Sequence, residues 1–511
     1  MGEAKRKANR AAETVIQAIG VETRGGKIQV RWDADAATTP FGQMVFFIEF
    51  LKLTGLLERW IDSCPLNYQG AHSSKKQDIL GTWLLSMLSG HNRYSHITTI
   101  RADGVTPELL GMTQTVSEDT VRRALAAIEE VPGTDWLQSH IDASVLPLLG
   151  APWILDVDAT IKQLYGKQQE GSVIGYNPRK PGRPSHTYHT YQMAGLRLIL
   201  GVEVTAGNES NASHSLPGLL RCLDQLPAEK RPKLVRGDCG FGSDSVMKGL
   251  EERSIPYLFK LRLSKNVKRY IQKIFWAEGW SDAGQGWQGR EGELALAGWD
   301  KSRRVIVLRR ALTGEVLLAD DVGQMALGFV ESEIAAKRYE YAVLVTDLAY
   351  GVSTLAQLYR DRADSENTFD ELKNQWGWGG FATKDIKRCR LSAMGVAMAY
   401  NWWSLFVRLA NPKARMEAIT SRPLLLSGVG RKTTHAGQQH LVIAPMHGKA
   451  SQAIALLTQV STLLKEWQNI AERSPLRSVW HQVCEYITTF VTGFNWLSPP
   501  ESALVVTAKT T

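Results

Sequence analysis

Asp156 and Asp158 stand two residues apart in Trp153-Ile-Leu-Asp-Val-Asp-Ala-Thr160, a run that reads as a buried strand, so both carboxylates point to one face. Asp238 follows a second strand-like run, Lys233–Arg236, inside the turn Gly237-Asp238-Cys239-Gly240-Phe241-Gly242, where glycine relieves backbone crowding. A fourth acid, Glu366, lies in a segment from Tyr359 to Lys373 that has no Gly or Pro and is rich in helix formers. At about 100° per residue with Tyr359 at 0°, Arg362 falls near roughly −60°, Glu366 near −20° and Lys373 near −40°. One phenol, two cations and one carboxylate then share a stripe, while Leu358, Phe369, Leu372 and Trp376 form an apolar stripe beside it. The plainer alternative is a solvated helix with i,i+4 pairs such as Arg362–Glu366.

Ligand sites of α/β sheets gather near the C-terminal ends of strands, so these acids are candidates to converge. Hard oxygen donors of this kind suit Mg²⁺ or Mn²⁺ rather than zinc. Two such ions about 4 Å apart activate an attacking oxygen and stabilise the leaving one in in-line phosphoryl transfer. Taken singly, each acid reads as readily as a capping or surface carboxylate.

The elements that must position these groups belong to a chain of 511 residues, 44% hydrophobic and 22% charged, with a formal charge of +9. That composition is ordinary for a globular protein of several domains, and the positive excess suggests a polyanionic partner. The five cysteines (Cys64, Cys222, Cys239, Cys389, Cys484) include no Cys-x-x-Cys pair, which argues against a zinc site or a disulfide framework. Met1–Arg10 is basic without the apolar stretch of a signal peptide, and Met394–Val407 is interrupted by Asn401 and too short to span a bilayer. A cytoplasmic protein away from membranes is the expectation.

Along the chain, residues 1–30 read as a basic, weakly ordered arm and 31–149 as helical, with helices at Met44–Leu57, Lys76–Leu88 and Ser117–Glu130. The last carries Arg122 and Arg123, either as a groove-entering helix or as a plain amphipathic helix with solvated arginines. Residues 150–258 and 341–410 read as an α/β domain, with strand runs at Tyr188–Ile199 and Gly201–Thr205 and a helix at Ser215–Leu226. Residues 259–340 read as a β-rich insertion, with short runs at Leu294–Ala297, Arg304–Leu308 and Val316–Ala319, and a further run, Tyr341–Val345, follows directly after it. Residues 411–449 look loop-like, and Ser451–Phe494 helical, within a C-terminal region 411–511.

Asp158-Ala-Thr160, the Gly237–Phe241 turn and Tyr359-x2-Arg362-x3-Glu366-x6-Lys373 together resemble the Asp-Asp-Glu transposases of bacterial insertion sequences. The last spacing is similar to the Tyr-Arg-Glu-Lys signature of the insertion-sequence-four superfamily. Tyr165–Gly171 followed by Gly175–Arg183 resembles its thirteen-eighty branch. The resemblance implies an α/β RNase H-like catalytic core with a β-rich insertion, flanked by helical N- and C-terminal regions. It implies Asp158, Asp238 and Glu366 as the catalytic and metal-binding triad for Mg²⁺ (or Mn²⁺), with Asp156 an alternative to Asp158. Along a helix, Tyr359 and Lys373 would lie roughly 10 Å on either side of Glu366 and hold phosphates flanking the scissile one, and Arg362, one turn from Glu366, would contact the strand that is not joined.

Arg179, Lys180 and Arg183, in a basic Pro-rich loop, are further candidates to touch a DNA backbone. Relatives that form hairpin ends stack a flipped base on a Trp of the insertion, and Trp276, Trp280, Trp287 and Trp299 all fall there without one standing out. His186 and His189 lack metal-ligand spacing and read as structural or solvent-facing. The expected protein is a transposase of double-stranded DNA, working as a homodimer on the inverted ends of its own element and on target DNA. A nuclease that cuts without joining, or a non-catalytic DNA-binding derivative, are the alternatives.

Overall fold

The computed structural model describes residues 18–33, 36–67, 73–150, 152–166, 168–175, 177, 180–209, 211–312, 338–381, 383–445, 448–474 and 478–492. Expectations for Arg179, for a strand at Val316–Ala319 and for the first and last residues of the chain lie outside these.

One ten-stranded sheet organises the molecule. Three short strands precede it: β1 (Ile19–Thr23), β2 (Gly26–Val30) and β3 (Thr38–Thr39). Its own strands are β4 (Ile154–Gln163), β5 (Val173–Ile174), β6 (Pro184–Met193), β7 (Leu198–Ala206), β8 (Leu234–Gly237), β9 (Tyr257–Lys260), β10 (Ser281–Gly284), β11 (Trp287–Leu294), β12 (Arg303–Ala311) and β13 (Tyr339–Thr346). Across the sheet they run β7-β6-β4-β8-β9-β13-β12-β11-β10, with two-residue β5 on the same edge of β6 as β7. β6 and β7 are antiparallel to their neighbours, whereas β4, β8 and β9 are mutually parallel. Parallel strands buried on both faces need continuous apolar runs, which Leu234-Val235 and Tyr257-Leu258-Phe259 supply. Strands β10–β13 continue the sheet as an antiparallel meander, so the β-rich stretch joins the edge of the α/β sheet through β13 and β9.

The run expected as one strand at Tyr188–Ile199 is folded in two. Ala194–Arg197 turns the chain between β6 and β7, with Gly195 at φ +78° and Arg197 at φ 55°. A register shift follows at Tyr191/Gln192, and there Asn401 takes over the ladder: its Oδ1 accepts from Ile199 N at 2.8 Å and its Nδ2 donates to Ile199 O at 2.7 Å. The residue that interrupts an apolar run in sequence is therefore a buried mortise for the sheet. It lies on the long helix Ile386–Ala410, which packs on β7 and on the helix Glu130–Val145.

Helical segments flank the sheet. Met44–Thr54 and Leu56–Asp62 are split at Gly55, in the left-handed region at φ 64°, so the single expected helix is two. Lys76–Leu88 forms as expected, and Glu118–Ala127 is capped by Ser117, whose side chain accepts from Thr120 N. Trp60 is the hub of a ring cluster with Trp83, Trp136 and Trp402 at centroid distances of 6.0, 5.6 and 5.8 Å, which welds these helices to Ile386–Ala410.

Two expectations give way. Residues 19–30 form an exposed β1–β2 hairpin rather than a weakly ordered arm. Residues expected as loop contain the helix Ala418–Leu425 and a hairpin, β14 (Gly430–His435) and β15 (Gln438–Ile443), that pairs with β3. Helices Ala450–Arg473 and Val479–Thr492 end the described chain.

Candidate active site

Parallel pairing of β4 with β8 sets Asp156 opposite Arg236 and Val157 opposite Gly237. The next rung, just past the end of β8, brings Asp158 beside Asp238, neighbouring backbones in such a pair being about 4.8 Å apart. Two sequence positions 80 residues apart thus become adjacent carboxylates on one face at the C-terminal end of a parallel strand. Asp238 Oδ1 accepts from Gly240 N at 2.8 Å, and Asp158 Oδ1 from Ala159 N at 2.7 Å. Each carboxylate is aimed by its own turn.

Two rungs back, Asp156 is 2% exposed, and three of its oxygen lone pairs are already engaged. Arg236 grips it with both prongs, Nε to Oδ1 at 2.7 Å and Nη2 to Oδ2 at 2.8 Å. Ser365 Oγ donates to the same Oδ2 at 2.8 Å, and Arg236 Nη1 donates to Leu358 O. The buried fork therefore ties β4 and β8 to the two helices Val352–Arg360 and Ala363–Gln375. It acts as a bracket beneath the site, and it gives Asp156 different partners from Asp158.

Tyr359 to Lys373 is not one helix. It breaks at Asp361-Arg362, where i→i+3 bonds (Arg362 N to Tyr359 O at 3.1 Å, Ser365 N to Arg362 O at 2.9 Å) replace the α-helical ladder. At this break Arg362 is turned inward instead of standing on an open stripe. Its Nη1 reaches Asp158 Oδ2 at 3.1 Å and its Nη2 reaches Glu366 Oε1 at 3.1 Å, with the guanidinium 5.7 Å from the centre of the Tyr359 ring. Glu366 keeps 67% of its side chain in solvent. The apolar stripe does seat the pair of helices: Leu358, Phe369, Leu372 and Trp376 are all buried.

Burial pushes the Asp158 carboxyl up to about 6; Arg362 opposes the rise and Asp238 adds to it. Tyr359 is likewise pushed up to about 12, first by burial and against the pull of Arg362. Because the folded value of Asp158 lies above its unfolded value near 3.8, this group favours the fold at low pH, and that contribution is lost as pH rises from about 4 through 6. In metal-free protein, Asp158→Asn is therefore expected to raise the melting temperature at pH 8 relative to wild type, with a smaller gain at pH 4. Equal shifts at both pH values would contradict the strained carboxylate.

The three acids offer only hard oxygen donors, and the mutual repulsion of Asp158 and Asp238 marks a surplus of negative charge that a divalent cation would relieve. Among the described residues no three acidic, His or Cys side chains stand close enough to hold an ion as they are. Arg362 bridges Asp158 and Glu366 in that place. The donor set fits Mg²⁺ or Mn²⁺ once this guanidinium is displaced.

A family model described as Transposase DDE domain group 1 matches residues 23–459. The chain belongs to that family. No curated protein matches it. A solved structure described as the cryo-EM structure of piggyBac transposase synaptic complex with hairpin DNA aligns with a TM-score of 0.41 at 9% identity, covering 89% of this chain and 88% of that one.

Elsewhere on the transposase, Arg122 and Arg123 are exposed on Glu118–Ala127, opposite buried Val121, Ala124 and Leu125. Arg122 pairs with Asp119, and Arg123 Nε donates to Asp119 O at 3.3 Å. Lys180 and Arg183 lie in the loop before β6, beside Tyr165. Lys373 is half-buried on the last turns of Ala363–Gln375. Of the four tryptophans between β9 and β12, Trp280, Trp287 and Trp299 are covered by Arg309, Arg310 and Arg303, whereas Trp276 is 69% exposed. His186 and His189 are buried in β6 and hydrogen-bond to Glu170 O and Thr205. All five cysteines are free. No helix among the described residues is long and apolar enough to cross a membrane.

Sequence reasoning missed Arg236 and Ser365. Arg236 precedes Asp238 by the same two residues that separate Asp156 from Asp158, and that repeated offset was the available signal.

Proposed function

We propose that this transposase binds the inverted ends of an insertion sequence, hydrolyses a phosphodiester to free a 3′-hydroxyl, and joins that hydroxyl to target DNA. The observation that carries the reading is the shared rung of Asp158 and Asp238 with Glu366 linked to it through Arg362. The strand order β7-β6-β4-β8-β9, antiparallel then parallel, supports an RNase H-like core, and the spacing of Tyr359, Arg362, Glu366 and Lys373 supports the insertion-sequence-four superfamily.

Asp158, Asp238 and Glu366 would hold Mg²⁺ (or Mn²⁺), which when bound supplies charge for the attacking and leaving oxygens. Arg362, released from the two carboxylates, is then a buried fork beside the phosphate, with Tyr359 under it. Lys373 contributes a point charge on Ala363–Gln375, the helix that carries Glu366. The rest of the work is positional: β4, β8 and the two helices hold donors and DNA in line. The helical region 31–149 would bind the element's ends, and the C-terminal region 411–511 would pair two copies on DNA.

Incubation of the protein and Mg²⁺ with labelled DNA carrying its element's own ends tests the reading. Paired cuts followed by strand-transfer products are expected; cut ends that never join would reassign the chain as a nuclease. For end binding, Arg122→Ala with Arg123→Ala is expected to lower the slope of log affinity against log salt by about 2. An unchanged slope would remove that helix from the DNA interface.

A further inference from the structure

Two residues past the end of β4, Tyr165 exposes 73% of its surface. The ring stands among cations. The Arg183 guanidinium lies 4.7 Å from the ring centre, and the Lys180 ammonium 5.8 Å from it and 3.5 Å from the phenolic oxygen. Leu164, Gly166 and Pro181–Pro184 complete an open groove of about 520 Å³ around these three side chains. The lining is about evenly polar and apolar, its rim is formed by two loops, and among the described residues no acidic side chain lines it.

We infer that this groove binds one unpaired nucleotide of the DNA, its base stacked on Tyr165 and its phosphate held by Lys180 and Arg183. The inference rests on the DNA-transposase reading and adds to it a place where the duplex is opened. A planar base offers a π-face to an exposed ring whatever its sequence, and cations beside the ring meet the phosphate of the same nucleotide. A duplex passing over the groove would use only the cations and leave the ring without a role, because paired bases present edges rather than faces. Position agrees with this. Five residues of β4 separate Asp158 from the strand end at Gln163, about 17 Å at 3.3 Å per residue, or about five base steps at 3.4 Å along one strand. The groove therefore samples nucleotides close to the cleaved phosphate.

The test is binding, without metal, of a short duplex with a four-nucleotide unpaired tail, prepared with either polarity and with 2-aminopurine in the tail. The fully paired duplex of the same length is the control. Wild type and Tyr165→Phe are expected to quench the tail fluorescence. Tyr165→Ala is expected to lose the quench and to bind the tailed DNA about tenfold more weakly, with the paired duplex unaffected. Lys180→Ala with Arg183→Ala should weaken the tailed DNA and flatten its salt dependence. Equal quenching by Tyr165→Ala, or the same loss for tailed and paired DNA, would overturn the inference. Because no cleavage is read, the same titration in the Asp238→Asn protein separates the two claims. A wild-type protein that never cuts its ends yet shows the Tyr165-dependent quench keeps this site and loses the catalytic reading.

Discussion

Asp238→Asn is expected to abolish end cleavage, by at least about 10³-fold, while leaving DNA binding and the melting temperature close to wild type. The substitution keeps the shape of the side chain and its acceptor for Gly240 N, so the turn after β8 survives. What it removes is one of two adjacent negative charges on the rung. Glu366→Gln should behave alike, since its ion pair with Arg362 is largely solvated and worth at most about 1 kcal/mol to the fold. The measurements are cleavage rate, end-binding affinity and thermal melting on the same preparations. Retention of cleavage within tenfold in either variant would remove that carboxylate from the catalytic set.

Arg236→Ala should have the largest effect on folding, about 3–5 kcal/mol, because it strands the Asp156 carboxylate in the interior. Coulomb attraction is not the reason for so large a number. A buried pair roughly breaks even against its desolvation, and the penalty arises when one charge is left alone. The double change Asp156→Leu with Arg236→Met should therefore recover much of the loss in urea unfolding. Its cleavage should stay impaired, since Ser365 and Leu358 O would no longer be tied to the strands. If the double variant is as unstable as Arg236→Ala, the loss comes from packing and not from an orphaned charge.

These residues also show how far the sequence carries. Strand β4 and the turn holding Asp238 were legible because apolar runs and glycine punctuation are local signals. The Asp156–Arg236 fork was not, because it exists only in a particular register between segments 80 residues apart. The break at Asp361-Arg362 carries no local mark: both residues keep right-handed helical dihedrals, and neither Gly nor Pro is present. It coincides with a tertiary contact, the ion pair of Arg362 with Asp158. The hairpin β14–β15 was missed for another reason. β14 is polar and β15 groups its apolar residues in one run, Leu441-Val442-Ile443, so no apolar alternation betrays the hairpin, and its turn places Ala436 rather than Asn at φ 48° before Gly437 at φ 77°.

The bracket around Asp156 has a consequence for how the protein comes into being. Its bonds close loops of 80, 122 and 209 residues, so it forms among the late, high-separation contacts of folding. A nascent chain that has already displayed Asp158 and Asp238 still lacks the helix that brings Glu366 and the tether that seats it. That helix in turn rests on Trp376, whose ring packs edge-on against Tyr400 of the long helix made afterwards. On the proposed reading, synthesis would act as a safety catch: a chain ended before Glu366 would carry two of the three acids and no means of cutting DNA.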